Sequence, residues 1–150
     1  MPFDTGTWMS AFVAALDTIA AHTQALFDAP HANLSETQRW LLESTCARCK
    51  HWAAIIAQCL RDYQAALASA APAQIAQQRQ YARNTLLYDM RLPIANAYST
   101  ADLLLLMTDE PQDDDLPPLN AAQKTAVEAI LREARALLDL MERAPDADAD

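Results

Sequence analysis

The chain has 150 residues, 52 % of them hydrophobic, a net charge of −9 and one glycine, Gly6. That length suits a single domain with its own core. The near-absence of glycine argues against the turns and bulges of a β fold, and the acidic balance excludes a nucleic-acid footprint.

Alanine and leucine dominate and both favour helix, so an all-α protein is predicted. The first helix is expected from about Thr7 to Phe27, followed by a loop from Asp28 to Asn33. Ser35 has the character of an N-cap, with Gln38 three residues later completing a capping box. The second helix should run to about Ala70, where Pro72 breaks it. A third is expected from about Ala73 to Thr108 with Pro93 inside it. The loop from Asp109 to Pro118 holds three prolines and five acids. Asn120 caps a fourth helix that ends near Arg143, ahead of Pro145, and residues 144–150 are expected to form an acidic, disordered tail. Eight of the twenty acids lie in that loop and tail, which leaves twelve acids against eleven bases on the helical body. The acidic blocks read as solvating segments.

Apolar residues recur every three or four positions. In the second helix the stripe is Leu42, Thr45, Cys49, Trp52, Ile56, Cys59, Tyr63 and Leu67. In the third it is Leu86, Met90, Ile94, Ala97, Ala101 and Leu104. In the fourth it is Gln123, Val127, Ile130, Ala134, Leu137 and Met141. This is the spacing of an antiparallel four-helix bundle, built from one hairpin over 7–70 and a second over 73–143. Trp8, Trp40 and Trp52 are expected to anchor it. The second and fourth helices also align at an offset of 85 residues. Leu34-Ser35-Glu36-Thr37-Gln38-Arg39 matches Leu119-Asn120-Ala121-Ala122-Gln123-Lys124, and Glu43 matches Glu128. Two hairpins in tandem are the implied organisation.

The segment Tyr88-Asp89-Met90-Arg91-Leu92-Pro93-Ile94 resembles the phosphoacceptor segment of the dimerisation and histidine-phosphotransfer domain of sensor histidine kinases. That family's pattern is His-(Glu/Asp)-(Leu/Met)-Arg-(Thr/Asn)-Pro-(Leu/Ile). The resemblance extends over about Arg83 to Met141, including Ala101-Asp102-Leu103-Leu104 and Arg135-Ala136-Leu137-Leu138-Asp139-Leu140. A proline inside a helix costs about 3 kcal/mol, which makes Arg91-Leu92-Pro93 the most specific part of the match. Two departures decide what the resemblance implies. Tyr88 stands where the family has its phosphoacceptor histidine. Leu92 stands where a Thr or Asn helps place the attacking water. Asp89 matches the acid that would act as general base on that histidine and has none to activate. No glycine-rich phosphate loop occurs. The degenerate motif Tyr88, Asp89, Arg91, Leu92 and Pro93 therefore implies a non-catalytic relative without cofactor. At about 100° per residue, Tyr88 points away from the core stripe, with Leu92, Ala95 and Ser99 on its face. In the family this face docks a response-regulator receiver domain or the kinase's own catalytic domain. Those two partner classes are the ones implied here, for an adaptor or an inhibitor.

Other residues offer weaker chemistry. Cys46 and Cys49 lie one helical turn apart, but a closed zinc site needs four ligands. The nearby His51 falls on another face, so no metal site is expected. Three cysteines give no disulfide framework. His51 and His22 are alternative phosphoacceptors, each lacking the acidic neighbour and downstream proline of the family motif, and His31 sits in a loop. Leu103 to Met107 is far shorter than the roughly 18 apolar residues of a membrane span, and no basic leader precedes the first helix. A cytoplasmic protein without membrane insertion is expected. One chain supplying four helices would be a covalent pseudo-dimer, which leaves room for further homodimerisation. A plain helical oligomerisation or scaffold module is the remaining alternative.

Overall fold

A computed structural model describes residues 4–28 and 33–145. Its order is α1 (Thr5–Asp28), α2 (Glu36–Ala68), α3 (Pro72–Asn84), a π-helical turn (Thr85–Asp89), α4 (Arg91–Asp109) and α5 (Ala121–Glu142). No strand occurs among the described residues. Residues 29–32, including His31, and the acid-rich residues 146–150 lie outside the described residues; of the expected tail, Ala144 and Pro145 instead pack on the bundle, where Arg83 donates to the Pro145 carbonyl.

The helices form a closed up-down-up-down ring. α1 packs on α2 and on α5, α5 packs on α4, and α4 completes the ring against α2, the thinnest of the four seams. The interior is the set of stripes read from the sequence. Leu42, Ile56, Leu86, Met90, Ile94, Leu104, Ile130 and Leu137 are all 0–1 % exposed. Trp8 and Phe12 of α1 meet edge to face at 5.4 Å in the same core. The Trp8 indole N–H donates to the Leu140 carbonyl at 2.7 Å, so the largest buried ring also has its polar atom satisfied.

Both capping boxes form. The Ser35 hydroxyl accepts from the Gln38 amide at 3.1 Å, and Gln38 Oε1 accepts from the Ser35 amide at 2.9 Å. Asn120 and Gln123 repeat this at 2.8 and 3.0 Å. The two glutamines are both buried, as the 85-residue offset requires. The loop surroundings differ. Gln38 Nε2 donates to the Pro117 carbonyl at 2.6 Å, whereas Gln123 Nε2 has no partner among the described residues. Both boxes thus set a helix start, but only the first also ties the α4–α5 loop to the bundle. The Ser35 hydroxyl adds to that tie by donating to the Asp115 carbonyl at 2.6 Å.

Three expectations need correction. The third helix is not continuous: the π-helical turn divides it into α3 and α4. Leu67 does not belong to the core stripe. It lies one residue before the end of α2 and is 46 % exposed. Of the three tryptophans only Trp8 is a full anchor. Trp52 is half-buried, with Ala53 taking the core position beside it. Trp40 is 64 % exposed, because it lies two residues from the buried Leu42 and so on the other side of α2.

Candidate functional site

The π-helical turn explains how Pro93 is tolerated. A proline at position i lacks the N–H that would bond the carbonyl of i−4, and its ring crowds that carbonyl. For Pro93 the carbonyl belongs to Asp89, the last residue of the π-helical turn. The Met90 amide closes the turn by donating five residues back, to Thr85, at 3.1 Å. The next ladder, Ile94 amide to Met90 carbonyl at 3.0 Å, opens α4. Pro93 therefore falls in the first turn of a new helix, where the amide it lacks is not needed. Leu86, inside the widened turn, and Met90, just after it, both face the core.

The residues between those core contacts are pushed outward. Tyr88 is 69 % exposed and Leu92 68 % exposed. Asp89, Arg91, Ala95 and Ser99 are exposed too, and Pro93 is half-buried. Tyr88, Leu92, Ala95 and Ser99 thus share one outward face. Arg91 is held along the helix, its Nε donating to the Leu87 carbonyl at 3.4 Å. Asp89 has no hydrogen-bond or ion-pair partner among the described residues, which is the arrangement of a solvated surface acid.

Residues not singled out in the sequence extend this face. Leu103 and Leu106 continue the three-and-four spacing of 88, 92, 95 and 99 along α4, and Leu106 is 49 % exposed. Beside them a groove of about 290 Å³ opens over the thin α2–α4 seam. Trp40, Leu41, Arg48, Pro93, Asn96 and Leu103 are among its walls. The spacing signal for Leu103 and Leu106 was present in the sequence. It was masked by the run Leu103 to Leu106, in which every position is leucine and no face stands out.

The remaining candidates are separate. His51 is exposed on α2 and meets Trp52 edge to face at 5.7 Å. His22 is half-buried on α1. Neither lies on the α4 face. Cys46, Cys49 and Cys59 are free and buried. Burial, with a smaller contribution from Cys46, pushes the Cys49 thiol up to about 12. Burial also raises Cys59, aided by Asp62. These thiols have the character of small apolar groups. No cluster of three or more metal-ligating side chains occurs among the described residues, and no described helix is long and apolar enough to cross a membrane.

The chemistry on offer at the α4 face is therefore apolar and aromatic contact, flanked by Asp89, Arg91 and Asp102. No protein-family model, curated protein or solved structure matches the chain.

Proposed function

We propose that the chain is a non-catalytic, histidine-kinase-like component of two-component signalling. In this reading it works in the cytoplasm as an adaptor or inhibitor, by docking a response-regulator receiver domain or a sensor histidine kinase on the α4 face. The observation that carries the reading is the exposure of Tyr88 and Leu92 inside a motif that otherwise keeps Asp89, Met90, Arg91, Pro93 and Ile94. A phenol in place of an imidazole removes the nucleophile. Leucine in place of a polar residue removes the group that would orient water. What remains is an exposed aromatic–aliphatic pair, and tyrosine is among the residues enriched at the centres of protein interfaces.

Receiver domains and cytoplasmic kinase fragments cloned from the source genome provide the test. Titration calorimetry should find a binder among them. Tyr88→Asp or Leu92→Asp should weaken that binding at least about a hundredfold, the loss expected for a buried interface anchor, with the helical circular dichroism unchanged. Binding that survives both substitutions rules the face out. The alternative of phosphotransfer through His51 or His22 is separated by incubation with a phosphorylated receiver domain and mass spectrometry for phosphohistidine.

A further inference from the structure

We infer that the groove over the α2–α4 seam binds a small aromatic carboxylate, with its ring over Ala97 and its acid group on Arg48. This site is independent of the signalling reading and follows from the internal repeat of the bundle.

The 85-residue offset that aligns α2 with α5 also aligns α1 with α4. Buried Met9, Phe12, Leu16 and Ile19 fall on buried Ile94, Ala97, Ala101 and Leu104, and Asp17 falls on Asp102. Thr23 falls on Thr108. Their hydroxyls donate to equivalent carbonyls, that of Ile19 at 3.2 Å and that of Leu104 at 2.8 Å. The α2–α4 seam is therefore the counterpart of the α5–α1 seam, and the two differ in two ways.

The first difference is a missing pair of rings. α1 supplies Trp8 and Phe12, both fully buried, and the Trp8 indole reaches the Leu140 carbonyl of α5. α4 has Pro93 and Ala97 at those positions, and both line the groove. The seam without the rings is the thinnest of the four. About 290 Å³ is left open there, close to the lower end of the ~300–1,000 Å³ range of ligand pockets, which is room for one or two rings. Trp40, 64 % exposed on the groove wall, offers an aromatic surface for them to pack on.

The second difference is polarity. The α5–α1 seam also opens on a surface groove, whose walls include Ala11, Ala14, Ala15 and Glu133. Their counterparts are Asn96, Ser99, Thr100 and Arg48, and all four line the α2–α4 groove. Where one seam has three alanines and an acid, the other has three hydrogen-bonding side chains and a base. Arg48 is the only charged residue on those walls, in a chain of net charge −9. None of these four side chains has a hydrogen-bond or ion-pair partner among the described residues. A guanidinium with free N–H donors, beside an amide and hydroxyls, is a donor set suited to a carboxylate. α2 and α4 run antiparallel in the ring, which sets Arg48 toward Asn96 and Trp40 toward Leu103. A ring over Ala97, against Trp40 and Leu103, thus directs its acid group at Arg48 and Asn96. Arg48 repels a cation, and a ligand without a ring leaves the apolar walls Pro93, Ala97 and Leu103 wet.

Naphthylacetate is the probe for the test. Titrated into the isotope-labelled full chain and followed by amide NMR shifts, it should saturate one site with a Kd of about 0.1–1 mM. The shifts should centre on Ser44, Asn96, Ala97 and Thr100. Naphthylacetamide keeps the ring without the charge, and acetate keeps the charge without the ring; each should bind at least about tenfold more weakly. Arg48→Glu installs the charge of the other seam and should weaken the probe at least about tenfold. Trp40→Ala should weaken it about threefold to tenfold, and Glu133→Arg in the other seam should leave it within about twofold. Arg48 and Trp40 are exposed, so unchanged circular dichroism separates loss of binding from loss of fold. No saturable shift up to about 10 mM probe overturns the inference. So do shifts centred elsewhere on the bundle, an amide or an acetate that binds as well as the probe, and an affinity indifferent to Arg48→Glu.

Discussion

Cys49 shows how a reactive-looking residue is silenced by its place on a helix. It lies on the buried stripe of α2, and burial raises its thiol from 9.0 to about 12. Two consequences follow. In the native protein at pH 8, a thiol reagent such as iodoacetamide should label Cys49 only as fast as the bundle opens, and in urea at the free-thiol rate. The pH dependence runs in one direction: the unfolded chain loses the proton near 9.0 and the folded chain near 12. The stability contributed by the neutral thiol is therefore complete below 9.0 and is lost as the pH rises through that window. Rapid native labelling at pH 8 would contradict the burial. Ala70 makes a second point at this scale. It holds a left-handed φ of 49° in the α2–α3 turn, a conformation that suits glycine better than alanine. Ala70→Gly should raise the urea midpoint, stabilising the fold by about 0.5–1 kcal/mol. A lower midpoint would show that the turn is not strained.

The helix boundaries were legible where local chemistry fixes them. The Ser35–Gln38 box and the Asn120 cap were readable because a side-chain oxygen three residues before its target amide is a sequence-local fact. The π-helical turn was not legible. Its cause is the conflict between Pro93 and the Asp89 carbonyl, and two geometries could relieve that conflict, a kink or an inserted residue. Nothing in the local sequence chooses between them. Cap energetics distinguish the two hairpins. Ser35→Ala removes the cap and the bond to the Asp115 carbonyl, so a loss of about 2 kcal/mol is expected. Asn120→Ala removes the cap alone, so about 1 kcal/mol is expected. Chemical denaturation of both variants checks the order. Equal losses would mean that the Ser35–Asp115 bond contributes nothing net.

At the scale of the whole molecule, the bundle and its core could be read almost completely from heptad spacing, because each stripe has one side to bury. The failures have a common physical source. Trp40 and Leu67 are apolar residues on helix surfaces that no neighbouring helix covers, and spacing alone does not reveal where a neighbour is missing. The outward stripe of α4 is the larger case of the same effect: Tyr88 and Leu92 stood out through the motif, while Leu103 and Leu106 needed the packing of α4 against α2 and α5 to show which of its leucines remain free. The exposed apolar face is therefore a property of the assembled ring, with one helix apolar on both sides beside the thinnest seam. The proposed function requires that this face, and no other part of the bundle, makes the contacts through which the protein acts. Calorimetric titration of receiver domains and kinase fragments from the source genome into the wild-type chain and the Leu92→Asp variant tests this most directly. The expected result is saturable binding to the wild type and a loss of at least about a hundredfold in the variant, with both chains equally helical. Equal affinity for the two chains would contradict it.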